Sequence, residues 1–196
     1  MKRPVLTFPP LVADVVKYYY GCAKQILEYG SGGSTVLASE LVDKDIVSVE
    51  SDQDWAVKLR LYIDSNSETK SLPTILHSDI GPTGEWGYPS DRRQWRKYGS
   101  YSMLPWIRFD ALSPDVILID GRFRAACFLA SAYKIKKQTL FLFDDFVGRK
   151  ERFLEFTSLV SESYEMVDRM AIFKIDPFSV DCNHAFALAR ASFDSR

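Results

Sequence analysis

Two stretches of this 196-residue chain carry side chains and spacings that could do chemistry. The first is Glu28-Tyr29-Gly30-Ser31-Gly32-Gly33-Ser34-Thr35, followed twenty positions after Gly30 by Glu50. Glycines in such a loop let the backbone turn sharply and approach a ligand with no Cβ in the way. The helix that follows offers free N–H groups, with Ser34 or Thr35 available to cap it. Glu50, closing the next apolar run, is where a carboxylate accepts hydrogen bonds from ribose hydroxyls. A glycine loop alone is equally a flexible turn, and a strand-end acid alone is equally a solvated one. The two at consecutive strand ends point to a ligand that contains a nucleoside.

The same residues constrain that ligand's charge. A dinucleotide fingerprint wants a third glycine where this chain has Thr35. Glu28, two residues before Gly30, would repel a pyrophosphate and suits a ligand with a cationic amino group. A nicotinamide-dependent oxidoreductase is thus the opposed alternative. A cofactor-binding protein without transfer activity is the alternative from another class, because no single general base stands out. His77 and His184, the only histidines, lie in or beside strand-like runs, where a hydrogen-bonded structural role is as natural as a catalytic one.

The second stretch is a set of three acids, Asp120 after one apolar run and Asp144-Asp145 after the next. In a parallel sheet both runs end at one rim, so the three carboxylates converge as catalytic candidates. Converging carboxylates repel unless one is protonated or a cation sits among them. Oxygen ligands in that number suit Mg²⁺, with waters and substrate completing its octahedron. Arginines are the other source of positive charge, and Arg122, Arg124 and Arg149 lie close in sequence. The arginine account is preferred here, and no metal ligand is assigned.

These side chains need strands and helices to position them. Helix-period segments at Leu11–Tyr20, Ser34–Val42, Gln53–Ile63, Phe123–Lys136 and Arg149–Glu162 alternate with strand-sized apolar runs. The runs are Gln25–Tyr29, Asp45–Glu50, Thr74–His77, Asp115–Asp120 and Thr139–Asp144, with two more in the tail at Glu165–Ile175 and His184–Ala191. Alternation predicts an α/β, doubly wound, mostly parallel sheet of seven strands. The final pair is too close in sequence for a helical crossover and predicts an antiparallel ending. No linker divides the chain, so residues 1–196 are expected to form one domain.

A long connection, Gly81–Ser113, holds Trp86, Tyr88, Trp95, Tyr98, Tyr101 and Trp106. Arg92, Arg93, Arg96 and Lys97 lie among them, four positive charges against one negative over 91–98. Connections of this length usually carry structure or function. An acceptor-binding lid for an anionic or sugar-like substrate and a homo-oligomer contact are the two readings. Single-stranded nucleic acid ranks below them.

The remaining composition narrows the class. Apolar residues make up 46% and charged residues 26%, and the net charge of −1 draws the chain to neither nucleic acid nor anionic membrane. Cys22, Cys127 and Cys182 are widely spaced and odd in number, which fits neither a disulfide scaffold nor a zinc site. After Met1-Lys2-Arg3-Pro4 only Val5 to Phe8 precede Pro9-Pro10, too short for a signal peptide's apolar region. A cytoplasmic protein with no membrane partner is expected.

Glu28-x-Gly30-x-Gly32 followed by Glu50 resembles the cofactor site of class I S-adenosylmethionine-dependent methyltransferases, a Rossmann-like family. His77-Ser78-Asp79-Ile80 is similar to the family segment that meets adenine. Asp120, in Leu118-Ile119-Asp120-Gly121, matches the acid facing the methyl donor. The resemblance covers about Leu11 to Ala191. It implies S-adenosylmethionine held by Glu28, Gly30, Ser31, Gly32, Gly33 and Ser34 at its methionine end and by Glu50 at the ribose. Asp79 and Ile80 would take the adenine, Asp120 would face the methyl donor, and Trp55 would pack near ribose or adenine. Ser34 stands where the fullest family pattern has another glycine. The three acids resemble the metal site of cation-dependent O-methyltransferases, with Asp145 in place of an asparagine. Asp120-Gly121-Arg122-Phe123 departs from the Asn/Asp-Pro-Pro-Tyr of base and glutamine methylases. The acceptor expected is therefore a small-molecule or sugar-like hydroxyl rather than a nucleic-acid base.

Overall fold

Alternate residues of the apolar runs face opposite ways, and this chain gives both faces something to bury against. In the computed structural model, which describes residues 2–195, the parallel strands are β1 (Gln25–Tyr29), β2 (Asp45–Glu50), β3 (Thr74–His77), β4 (Val116–Ile119) and β5 (Thr139–Phe143). Met1, the start of the Met1-Lys2-Arg3-Pro4 opening, and Arg196 lie outside the described residues. Leu27, Tyr29, Val49, Ile117, Ile119, Phe141 and Phe143 pack into one core with helices α4 (Tyr98–Arg108), α5 (Arg124–Lys134), α6 (Lys150–Thr157) and α7 (Cys182–Ala191). Their neighbours Ile26, Ile46, Val116, Leu118 and Leu142 pack on the other face against α1 (Pro10–Cys22). Helices α2 (Gly33–Ser39) and α3 (Gln53–Ser65) share a smaller cluster with Ile75 of β3.

The sheet has seven strands in the order β3-β2-β1-β4-β5-β7-β6, with β6 at Glu165–Val167 and β7 at Met170–Ile175. Strand β7 runs antiparallel to both β5 and β6. Strand order reverses between β1 and β4, where a doubly wound sheet opens a crevice beyond its strand ends. Gly30 follows β1 and Asp120 follows β4, so the two chemical stretches meet at that crevice.

Two expectations are corrected. The antiparallel ending is made within Glu165–Ile175 alone, by a hairpin that turns at Asp168, whose φ of 52° is left-handed. His184–Ala191 is not a strand but part of α7. Its Ala-Phe-Ala-Leu-Ala alternation mimics a period of two, yet alanine is the strongest helix former. Asp181 caps the helix by accepting from His184 N–H at 3.0 Å, and Ala187 and Ala191 are its buried face.

The connection 81–113 is likewise not irregular throughout. Its second half is α4, an ordinary crossover helix hidden in sequence by Pro105 within it. Tyr98, Tyr101 and Trp106 are consequently core residues. What departs from the plain fold is 81–97, a turn closed by a Thr83–Pro89 bridge and carrying exposed Trp86 and Trp95. Helix α6 is also shorter than Arg149–Glu162, ending at Thr157. No helix among the described residues is long and apolar enough to cross a membrane.

One buried acid ties the elements of the first half together. Glu28 on β1 is fully buried and accepts from Tyr20 Oη of α1 and Thr35 Oγ1 of α2, each at 2.6 Å. Burial pushes the Glu28 carboxyl upward, and the two hydroxyl bonds pull it back. Burial also pushes the Tyr20 phenol well up, which keeps it a donor. Glu28→Ala would strand two buried hydroxyls and should cost about 2–4 kcal/mol in urea unfolding. Glu28→Gln should cost clearly less, and an unchanged midpoint for the alanine variant would contradict this role.

Candidate functional site

The crevice is a cavity of about 610 Å³, within the range of small-molecule sites. Its floor is the loop Gly30–Ser34, its sides are Glu50 to Asp52 with Trp55 and Lys58, and its far end is Asp120 to Arg122 with Tyr101. Residues 4–8 and 84–87 wall the remainder. Gly30 has φ +94°, and a Cβ there would lie 2.7 Å from Gly121 Cα, so the loops after β1 and β4 touch backbone to backbone. At Gly33 an added Cβ would lie 2.5 Å from the carbonyl carbon of Val5, because the N-terminal segment crosses directly over the loop.

Glu50 is held rigidly at the cavity edge. Its Oε2 accepts from Ser31 N–H at 3.2 Å and Ser31 Oγ at 2.8 Å. Its Oε1 accepts from the N–H groups of Ser51 and Asp52 at 2.7 and 2.9 Å. Trp55, though exposed, donates from Nε1 to Ser31 O at 2.8 Å and so fixes the same loop.

The loop Gly30, Ser31, Gly32, Gly33 and Ser34 thus joins Glu50 and Asp120 in one cavity. Glu28 does not line it but stands beneath the loop. Ile80 is fully buried in the core. Asp79 lines an adjoining cavity with His77, and the two cavities share Ser51, Asp52 and Asp54. Lys97, 2.7 Å from Asp79, holds that carboxyl below its usual range. His184 belongs to the α7 cap, its ring edge-on to Tyr133.

Asp120, Asp144 and Asp145 do converge, with oxygens all within 4.8 Å of one another. Two arginines supply the positive charge. Arg169, from the β6–β7 hairpin, donates to both oxygens of the fully buried Asp144 at 3.0 and 2.6 Å and lies 3.3 Å from Asp145. Arg124 reaches Asp145 at 3.1 Å and Asp120 at 3.4 Å, and its other N–H groups fill the carbonyls of Asp120, Gly121 and Asp144. Of the arginines expected from sequence proximity only Arg124 takes part; Arg169 was hidden by its separation along the chain. The donor oxygens are already committed to guanidinium groups, so this set does not fit Mg²⁺. Burial, with the neighbouring Asp144 and Asp145 charges, pushes Asp120 up to about 7 against the pull of Arg124. The carboxyl nevertheless keeps an edge at the cavity, 28% exposed.

Sequence reasoning also missed Ser51, Asp52, Lys58, Tyr101 and the segment 4–8 as lining residues. Only the tertiary path of the chain brings them there. Arg122 is displaced from the acid cluster to the cavity wall, its guanidinium 3.9 Å from the centroid of the Tyr88 ring.

No protein-family model matches the chain, and no curated protein sequence matches it. Among solved structures, a methyltransferase-like protein from Silicibacter pomeroyi is 38% identical, with 98% of each chain covered and a TM-score of 0.90. An O-methyltransferase from Bacillus cereus, solved with SAH, is 14% identical over 88% of this chain and 84% of its own, with a TM-score of 0.61. An RNA methyltransferase from Salinibacter ruber, in complex with S-adenosyl-L-homocysteine, is 13% identical over 91% of this chain and 97% of its own, at 0.51. The last two likenesses concern the fold.

The acid cluster has two consequences for stability. Arg169→Ala leaves Asp144 buried without its counter-charge and should cost about 2–3 kcal/mol, below the ~3–5 of a fully enclosed pair. The folded pKa of Asp120 lies above its unfolded value of 3.8, so its contribution is complete below that value and is lost as pH rises through about 7. Unfolding of the wild type followed across this window should show that decline and no response to EDTA. A melting temperature lowered by EDTA and restored by Mg²⁺ would contradict the arginine account.

Proposed function

The chain belongs to the class I S-adenosylmethionine-dependent methyltransferases, and from that premise we propose that it binds S-adenosylmethionine in this cavity and methylates a small-molecule or sugar-like hydroxyl. The observation that carries the reading is Glu50, a carboxylate locked by five donors of its own chain at the cavity edge and directly beside the glycine loop. A group so fixed is preorganised, and ribose hydroxyls would take the sites on Oε2 that the N–H and Oγ of Ser31 fill here.

Gly30, Ser31, Gly32, Gly33 and Ser34 form the floor for the methionine end, with Glu28 acting from beneath through Thr35. Trp55 packs at the ribose. The adenine extends past Ser51 and Asp52 toward Asp79, in the cavity that shares those residues, and Ile80 backs that wall from the core. When bound, S-adenosylmethionine supplies a methyl group on a sulfonium, which an in-line displacement transfers. Asp120 is the group placed to take the proton of an acceptor hydroxyl, because a carboxyl near pH 7 is matched to general-base work. Burial raises that proton affinity, with the charges of Asp144 and Asp145 adding to it, and Arg124 holds the carboxylate. The segments 4–8 and 84–87 restrict water on both sides of the cavity. The 81–97 turn is the acceptor-side lid.

Calorimetry should detect S-adenosylhomocysteine binding and no NAD binding. Glu50→Ala should weaken the former at least about tenfold, from the loss of charge-assisted bonds worth ~1.5–3 kcal/mol each. Tight NAD binding without S-adenosylhomocysteine binding, or unchanged affinity in a folded Glu50→Ala, would overturn the reading.

A further inference from the structure

Arg122 has no acid. Its residue is only 7% exposed, yet it lines the cavity two positions past Asp120. Its Nε and Nη1 have no hydrogen-bond partner among the described residues. The guanidinium is covered by the ring of Tyr88, 3.9 Å away. Arg124, two residues on, shows the contrast, because its N–H groups are taken up by carbonyls and carboxylates.

An unpaired buried guanidinium is expensive. Desolvation of the ion costs more than the face of one ring returns. Arg122 bears that deficit in a cavity wall, where a ligand's negative charge would remove it. The planar fork of a guanidinium matches the paired oxygens of a carboxylate or phosphate.

We propose that Arg122 receives a carboxylate or phosphate of the methyl acceptor, which makes that acceptor an anionic small molecule; this rests on the cavity being the methyl-transfer site. The arginine's own contacts place it on the acceptor side. They are the Tyr88 ring from the 81–97 turn, Tyr101 Oη of α4 at its N–H and Cys127 Sγ of α5 at its carbonyl, the last two at 3.4 Å. The Gly30–Ser34 loop, assigned to the cofactor's amino-acid end, contributes none of these. The Tyr88 ring lies over the guanidinium carbon and Nε and Nη1 are buried, so an incoming anion would compete with the ring for the cation. That ring sits on a turn closed by the Thr83–Pro89 bridge, outside the helices and strands of the fold.

The test uses full-length protein saturated with S-adenosylhomocysteine and titrated with inorganic phosphate or acetate, against chloride at equal ionic strength. Melting temperature and the Arg122 Nε–H resonance are read. Phosphate or acetate should raise the first and shift the second, and chloride should do neither. Arg122→Met should fold, bind S-adenosylhomocysteine within about twofold of wild type and lose the anion response at least about tenfold. Tyr88→Ala should keep the response or strengthen it. Four results would overturn the proposal: no anion response in the wild type, an equal response in Arg122→Met, a tenfold loss of S-adenosylhomocysteine affinity in that variant, or its failure to fold. The third would assign the arginine to the cofactor's carboxylate, and the last would make it structural. Wild-type protein that binds no S-adenosylhomocysteine at all would instead overturn the methyl-transfer reading beneath the proposal.

Discussion

The cavity depends on the backbone contact between Gly30 and Gly121. No side chain fits between these loops, since a Cβ on Gly30 would come within 2.7 Å of Gly121. The closeness follows from strand order, because β1 and β4 are adjacent where the sheet reverses direction. It sets Asp120 beside the glycine loop and leaves Arg122 on the wall just beyond. Glu50 comes from the next strand over and grips the same loop through Ser31. Glu28 grips it from below through Thr35. A loop held by two carboxylates is a rigid floor, which is what orientation of a bound reactant requires.

Charge compensation at the rim follows another logic. Three carboxylates gather where β4 and β5 end, and two guanidinium groups, one almost fully buried and one from the terminal hairpin, hold them. The hairpin thus supplies the cation for Asp144 as well as completing the sheet. Asp120 receives the weakest share of positive charge, at 3.4 Å from Arg124, and is the acid nearest the cavity. Burial raises its proton affinity, the charges of Asp144 and Asp145 add to the rise, and Arg124 opposes it. The same arrangement makes a divalent cation superfluous there.

Much of this was legible in the sequence, and the remainder was not for identifiable reasons. The loop, Glu50 and Asp120 were legible because each terminates a strand-sized apolar run, and strand ends on one rim converge whatever the helices do. Helix α4 was obscured by Pro105, which removes one backbone donor but is tolerated inside the helix. Helix α7 was obscured by an alanine alternation that imitates a strand. Arg169 could not be paired with Asp144 by proximity, since 25 residues separate them. Asp79 and Ile80 were assigned to the adenine by resemblance alone, and the chain puts one in the adjoining cavity and the other in the core. Arg122 looked like a partner for the acids, and only its packing under Tyr88 separates it from them.

A crystal structure of the protein with S-adenosylhomocysteine tests the central claim most directly. The account predicts the ribose hydroxyls within hydrogen-bond distance of the Glu50 carboxylate, the amino-acid portion over Gly30–Ser34, and the sulfur facing Asp120. A ligand bound elsewhere, or seated in the cavity with its ribose away from Glu50, would contradict it.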